Sequence, residues 1–401
     1  MKNAVGGSSP RLAVIATHPI QYFAPWFAYL ALRSGLDLRV FYLCDVGVAG
    51  HLDRGFQVPV TWDVPLLKGY AHEFVPNRST SPGTGGYFGL WNPDLPARLR
   101  AWRPDAVLLT AYNYASIGNL LLRWGRSEAP LIFRGDSHRL VPQPGPREAA
   151  KRRIIARIFR RFAAALYVGS ANRDYFRLHG VPEKHLFHSP HAVDGDRFLA
   201  ARGAAEAEAQ AWKRSLGIPE GHRVVLFAGK FEEKKRPLDL LRAFGDARLE
   251  RASLLYVGSG HQERELRAAA AGNPDVFFSP FRNQSLMPGT YAACDVFVLP
   301  SCGPNETWGL AVNEAMCMGR AVIVSDHVGC ARDLVIPEKS GLVFAAGDVV
   351  SLRDALRKAL ADPSRLKAWG ERASAHVRSF NYEHAAAGLL AALRYLKVVQ
   401  A

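Results

Sequence analysis

The sequence predicts an α/β protein of two Rossmann-like domains, each a parallel sheet covered by helices, facing one another across an interdomain cleft. Three observations carry this. The chain has 401 residues, more than one ordinary hydrophobic core serves. Short β-branched and apolar runs alternate with helical patterns, as parallel sheets with helical crossovers require. The alternation lapses once, in the Ala/Glu-rich stretch 202–213, and then starts again.

The first series of strands is expected at 11–17, 37–43, 105–110, 130–133 and 165–169, with helices between them such as 115–124. The stretch 79–90 is rich in Gly, Ser, Thr and Pro and reads as a flexible surface loop. The second series is expected at 223–229, 253–258, 275–278, 295–299, 321–325 and 341–344. The domain boundary falls in the strandless stretch, giving an acceptor-side domain over 1–203 and a second domain over 204–381. A last helix, 382–401, is placed so that it could pack back on the first domain.

The composition is that of a soluble globular chain, 48% hydrophobic and 22% charged. No apolar run approaches the ~18 residues of a membrane span. Residues 1–10 hold one Lys and no apolar segment, so they read as a disordered tail rather than a signal peptide. Cys44, Cys294, Cys302, Cys317 and Cys330 are scattered without a paired spacing, which argues for reduced thiols rather than a disulfide framework or a zinc site.

The net charge of +15 calls for anionic partners: nucleic acid, acidic lipid or phosphorylated small molecules. Cations concentrate at 151–162, where Ile154, Ile155, Ile158, Phe159 and Phe162 follow helical spacing. Two readings stand: an amphipathic helix packed on a sheet, or a basic face lying on an anionic membrane. No motif of a specific nucleic-acid reader is present.

Chemistry gathers at 300–316. An apolar strand runs into a Pro/Gly-rich loop bearing Glu306, and the helix that follows bears Glu314. A strand that ends before a helix N-terminus makes an anion site at the carboxyl edge of a sheet. Carboxylates facing such a site suit a ligand that donates hydroxyls and carries negative charge nearby, as a nucleotide sugar does. A second strand ends at Gly229 and opens into the cationic loop Lys230-Phe231-Glu232-Glu233-Lys234-Lys235-Arg236, followed by Pro237 at a helix start. Cations at that edge suit a diphosphate. Alone, either feature reads as exposed charge.

With these residues in place, the chain resembles a retaining family 4 glycosyltransferase of the GT-B fold over nearly its whole length. The strongest element is the Glu-x7-Glu spacing of Glu306 and Glu314. Gly229-Lys230-Phe231 with Lys235-Arg236, Ser189-Pro190-His191-Ala192-Val193-Asp194, the segment 325–330 and the segment 339–344 are similar to further family signatures. The resemblance implies that Glu306 contacts the donor sugar, Glu314 binds the ribose, and Lys230 and Lys235 hold the diphosphate. Gly229, Arg282, Thr307, Trp308, Gly309 and Leu310 complete the expected donor site. Many members carry a glycine doublet after the first strand. This chain has Thr17-His18-Pro19-Ile20-Gln21-Tyr22, so His18 and Gln21 are candidates either to take the doublet's place at the donor or, with Tyr22, to bind the acceptor. Members often carry a functional His after the middle strand of the first domain. Arg134-Gly135-Asp136-Ser137-His138 occupies that region, and both Asp136 and His138 are catalytic candidates.

Three patterns are discounted. Asp194-Gly195-Asp196 reads as turn chemistry rather than a metal motif. His185, His188 and His191 are evenly spaced, but Pro190 interrupts them, so they do not read as a metal site. Gly258-Ser259-Gly260 after a strand is a weak signal that lines a cleft without naming a ligand.

The expectation is therefore a metal-independent hexosyltransferase of the retaining type. It would use no cofactor, only a nucleotide-diphosphate sugar, with UDP or GDP as the expected carriers, and a glycan or lipid-linked acceptor. Cell-surface polysaccharide or glycoconjugate synthesis fits that chemistry. The expected place is cytoplasmic, peripheral to the inner face of the membrane through 151–162, with no specific nucleic acid as partner. Two alternatives stand beside it: a non-catalytic scaffold on the same fold, and a glycoside phosphorylase-like enzyme.

Overall fold

The computed structural model describes residues 9–400 apart from Ala49, Arg54 and Gln143. The tail 1–8 lies outside the described residues.

The first domain is built on β1 (Arg11–Ala16), β2 (Asp37–Tyr42), β5 (Ala71–Phe74), β6 (Ala106–Leu109), β7 (Leu131–Gly135), β8 (Ala164–Tyr167) and β9 (Leu186–His188). A separate antiparallel hairpin, β3 (His51–Asp53) and β4 (Val58–Val60), leaves the domain between β2 and β5. The sheet order is β5-β2-β1-β6-β7-β8-β9, and every pair is parallel. The second domain carries β10 (Arg223–Ala228), β11 (Ala252–Val257), β12 (Val276–Ser279), β13 (Val296–Leu299), β14 (Ala321–Ser325) and β15 (Gly341–Phe344) in the order β12-β11-β10-β13-β14-β15, again parallel. This is a doubly wound sheet whose order reverses between β10 and β13, where a ligand crevice is expected at the carboxyl ends.

Both faces of each sheet are covered, which explains why the strands are apolar without alternation. In β1, Leu12, Val14 and Ala16 enter one core while Ala13 and Ile15 enter the core on the opposite face. In the second domain all six residues of β11 and all four of β13 are buried. Each fully buried Val or Leu side chain contributes about 1.5–3 kcal/mol.

All eleven expected strands are found. Three short elements were not foreseen: β5, β9 and the hairpin β3–β4. The hairpin strands have three residues each, and Pro59 sits inside one, which weakens a strand signal.

The Ala/Glu-rich stretch is not a linker. It lies within helix Gly195–Ser215, whose Phe198, Ala205 and Ala209 are buried in the core of the second domain with Val224 and Phe297. Ala, Glu, Gln and Arg are strong helix formers, so the missing strand signal marked a helix. The 203/204 boundary thus falls inside that helix, and the chain passes between sheets at 189–194. Asp194 caps the helix, its carboxylate accepting the Arg197 N–H at 3.2 Å. The last helix, Tyr382–Tyr395, returns to the first domain, where Ala385, Leu389, Ala392 and Leu393 share a core with Leu12 and Val14.

The basic segment forms helix Pro146–Phe159, with Ile155 and Phe159 buried among Phe133 and Phe176 and Ile154 exposed. The loop at 79–90 contains a single 3-10 turn, Tyr87–Gly89, and is tied to the sheet edge by the Tyr114 hydroxyl donating to the Thr84 carbonyl at 2.9 Å. No described helix is long and apolar enough to cross a membrane.

Candidate functional site

The carboxyl ends of β10 and β13 open into a cavity of about 480 Å3 between the two domains. Its second-domain wall comes from the loop after β10, from the loop after β12 and from residues 305–314. Gly258, at the end of β11 with φ 143°, allows the β10 and β11 loops to touch: a Cβ there would lie 2.0 Å from the Gly229 carbonyl oxygen. This is the physical content of the Gly258-Ser259-Gly260 pattern.

Glu306 is buried. Its Oε2 accepts the Lys235 Nζ–H and, at 2.8 Å, the Ser301 hydroxyl. Burial pushes its pKa up, but the Lys235 ammonium and the Ser301 hydroxyl outweigh that and hold it below the usual carboxylate range. Glu306 is therefore ionised at neutral pH. Glu314 differs. It sits on helix Leu310–Cys317 and is 2% exposed. Its Oε2 accepts the Tyr291 hydroxyl at 2.7 Å, while the buried Oε1 has no protein donor in bonding geometry. Burial lifts its pKa to about 7 despite the nearby Tyr291, Tyr22, Gln284 and Arg197.

The helix that carries Glu314 starts at the cavity. Gly309 precedes it with φ 95°, where a Cβ would press to 2.9 Å on both Leu299 and Val328, and no side chain caps its first amides. Gly309, Leu310 and Ala311 line the cavity, so these uncapped N–H groups form an anion site beside the two glutamates. Lys235 and Lys230 stand on the loop that faces it. Lys230 does not stand free: its ammonium pairs with Asp53 of the first domain at 2.9 Å and lies 5.0 Å over the Phe56 ring.

The first domain supplies Gln21, Tyr22, Phe23, Asp136 and His191 to the cavity wall, together with Asp53, Phe56 and Trp62 from the hairpin segment. Asp136 follows β7. Its Oδ2 accepts the Thr307 hydroxyl at 2.7 Å and lies 3.4 Å from His191 Nε2. Burial raises its pKa, but His191, Thr307 and Arg134 together bring it to about 2. Burial depresses the pKa of His191, which leaves it a neutral donor to Asp136.

The structure separates the two candidates after β7. Asp136 lines the cavity, whereas His138 does not. The His138 Nδ1 accepts the Leu140 N–H at 3.2 Å, so its Nε2 carries the proton and donates to the Glu306 carbonyl at 3.0 Å. His138 therefore positions the backbone of Glu306 from the opposite domain. Gln21 and Tyr22 reach the cavity; His18, with its Nδ1 3.0 Å from the Thr17 hydroxyl, is not among the lining residues. Arg282 lines the cavity, but its guanidinium is engaged by Glu208 at 2.9 Å and by the Trp212 ring. Thr307 and Leu310 line it as expected, and Trp308 is buried with its Nε1–H on Asn313 Oδ1 at 2.8 Å.

Asp53, Phe56, Trp62 and Tyr291 carry no signal in the sequence as site residues. His191 stands in a segment similar to a family signature and in a discounted histidine series, and Phe281 neighbours Arg282, but neither is an expected site residue by itself. Among the described residues, no group of three or more His, Cys, Asp or Glu side chains is placed to hold a metal ion.

Residues 208–376 match the family model described as glycosyl transferases group 1. The D-inositol 3-phosphate glycosyltransferase of Nocardia farcinica is 30% identical over 379 residues, covering 84% of this chain and 80% of that protein. The Streptomyces avermitilis protein of the same name is 29% identical over 359 residues, covering 78% of this chain and 74% of the relative. Among solved structures, Anabaena HepE in complex with UDP and glucose superposes with TM-score 0.72 at 15% identity, covering 96% of this chain and all of that one. A glycosyltransferase from Rickettsia africae superposes with TM-score 0.72 at 14% identity, covering 97% and 99%.

Proposed function

Since the chain belongs to the group 1 glycosyl transferases and has their two-domain GT-B fold, we propose that it is a retaining, metal-independent enzyme. It moves a sugar from a nucleotide-diphosphate sugar, UDP- or GDP-linked, to a glycan or lipid-linked acceptor. The observation that carries this reading is the buried Glu314 Oε1, which has no donor in bonding geometry although Tyr22 and Gln284 stand near it, beside the Lys235–Glu306 pair at the mouth of an uncapped helix. A ribose hydroxyl supplies the missing donor, and the diphosphate then falls to the cations and the amides. The complex of HepE with UDP and glucose supports a uridine carrier.

In this reading the bond from the anomeric carbon to the diphosphate oxygen breaks, and that oxygen keeps the electron pair. Lys230, Lys235 and the amides at 309–311 stabilise the developing charge. Glu306, ionised and fixed by Lys235 and Ser301, orients the sugar through its hydroxyls. The acceptor hydroxyl attacks from the face the diphosphate leaves, and its proton passes to the departing oxygen. With its pKa near 2, Asp136 suits hydrogen-bond acceptance better than proton abstraction.

The curated relatives are named for D-inositol 3-phosphate. Here the charged side chains that the first domain contributes to the cavity, among the described residues, are Asp53 and Asp136, and no Lys or Arg is among them. That wall favours a neutral acceptor over a phosphorylated one. We place the enzyme at the cytoplasmic face of the membrane, supported by the exposed cations of helix Pro146–Phe159.

The test is thermal stabilisation by UDP-, GDP-, ADP- and dTDP-linked ligands, for wild type and Lys235→Ala. One carrier should stabilise wild type and leave the variant unmoved. A flat response at millimolar ligand would overturn the donor site and shift weight to a scaffold role.

A further inference from the structure

The hairpin segment 51–63 leaves the first domain and lies across the edge of the second. Four contacts fasten it there. Asp53 pairs with Lys230, with its two oxygens 2.9 and 3.1 Å from the ammonium. The Ser259 hydroxyl donates to the Phe56 carbonyl at 2.7 Å, and Asn283 Nδ2 donates to the Thr61 carbonyl at 2.6 Å. Asp63 accepts the Ser285 N–H at 3.1 Å and also its hydroxyl. The Phe56 and Phe281 rings meet at 4.7 Å, with Trp62 at 6.3 Å from Phe281.

These contacts are of two kinds. Those of Phe56, Thr61 and Asp63 bind the segment to the loops after β11 and β12. Asp53 alone brings a charge to a cation of the expected diphosphate site, Lys230, over which the Phe56 ring also lies. Gly55 makes that reach possible, since a Cβ there would lie 2.5 Å from Lys230 Cδ. Both expected diphosphate cations are thus already matched by carboxylates, Lys235 by Glu306 of its own domain and Lys230 by Asp53 of the other. Glu306 has a second, expected task on the sugar; the second task of Asp53 is local, its Oδ1 accepting the Gly55 and Phe56 N–H groups. A diphosphate on Lys230 would sit against the Asp53 carboxylate, and like charges at such separation repel strongly in a partly buried cleft.

We propose that the hairpin belongs to the donor site and that Asp53 holds the place of the donor diphosphate on Lys230, so that diphosphate binding and release of the hairpin tip are one event. This rests on the donor reading of the cleft. It makes the second domain's donor site composite, with the first domain supplying both a competing anion and, through Phe56, an aromatic wall.

The experiment compares wild type with Asp53→Asn, using inorganic pyrophosphate, UDP, GDP and the nucleosides uridine and guanosine as probes. Asparagine keeps the oxygen that accepts the Gly55 and Phe56 N–H groups and removes the charge. Diphosphate-bearing probes should bind the variant roughly two- to fivefold more tightly, the scale of one partly exposed ion pair, and nucleoside affinity should not change. Hydrogen exchange of amides 55–63 should quicken in the variant, and in wild type when pyrophosphate saturates. Equal or weaker pyrophosphate binding by the variant, or exchange at 55–63 unmoved by pyrophosphate, would overturn the proposal. Pyrophosphate that releases the hairpin while UDP and GDP bind neither protein would uphold the placeholder and defeat the nucleotide-sugar reading.

Discussion

Glu306 and Glu314 sit in one cavity with opposite protonation behaviour, and this yields the most direct tests. Lys235→Ala removes the cation that holds Glu306 and should lower kcat/KM by about 100- to 1000-fold, the scale of losing one preorganised charge-stabilising group; steady-state rates with the carrier found by thermal shift check it. Glu314 has a folded pKa near 7 against an ordinary value of 4.5. Between those values the folded state binds more protons than the unfolded state, so stability falls as pH rises from 4.5 through 7, by at most about 3 kcal/mol. Glu314→Gln should flatten that part of the stability profile measured by urea unfolding. On the proposed ribose contact the ionised carboxylate is the stronger acceptor, so the nucleotide-induced rise in Tm should grow from pH 6 to pH 8 in wild type and stay level in the variant. His138 acts on the Glu306 backbone. His138→Gln, which keeps a donor, should retain more activity than His138→Ala, and neither should remove a limb of the kcat pH profile; a lost limb would make His138 a proton carrier. The Glu pair was legible because its spacing is local, along one loop and one helix. The choice between Asp136 and His138 was not, because β7 ends at Gly135 and the turn beyond it decides which side chain meets the cleft.

Elements explain why the loops stand where they do. The β10 and β11 loops touch only because Gly258 lacks a Cβ. Gly258→Ala should displace the Lys230 loop and weaken nucleotide binding by tenfold or more, at a cost of about 1–3 kcal/mol in stability; calorimetric titration beside a urea melt separates the two effects. The basic helix Pro146–Phe159 buries Ile155 and Phe159 and leaves Arg152, Arg153 and Arg157 exposed. Reversing the charges of Arg152, Arg153, Arg157 and Arg160 should abolish binding to anionic liposomes while the thermal transition stays within a few degrees. Unchanged liposome binding would reduce this segment to a packed helix. The inner strands of the parallel sheets were readable because they are buried on both faces and so largely apolar, whereas the edge strands β5 and β9, short and partly exposed, were not. The hairpin β3–β4 was not, because three-residue strands with a proline lack any periodic signal.

At the scale of the molecule, the two domains are tied by more than the crossing at 189–194. Asp136 holds Thr307, His138 holds the Glu306 carbonyl, and Asp333 accepts the Ser170 N–H and hydroxyl at 3.0 Å. The first domain therefore sets the shape of the loop that carries Glu306. The helix Tyr382–Tyr395 completes the first domain from the far end of the chain, and its Gly388 lies so close to β9 that a Cβ would be 1.9 Å from the His188 carbonyl oxygen. Removing residues 382–401 should strip the cover from Leu12 and Val14. Hydrogen exchange in β1 should then rise sharply, while β10 and β13 keep their protection.

The sequence by itself determined the two parallel sheets, the positions of eleven strands and the family resemblance, and it named Lys230, Lys235, Glu306 and Glu314 as candidates, because burial pattern and local spacing are written along the chain. The tertiary structure alone decided that Lys230 answers to Asp53, that Glu314 keeps one oxygen bonded to Tyr291 and the other without a donor in bonding geometry, that His138 serves Glu306, and that helix Gly195–Ser215 belongs to the second core. Each of these depends on groups tens to hundreds of residues apart. Partner choice and burial at such separations follow from how the domains meet, and no periodicity records that.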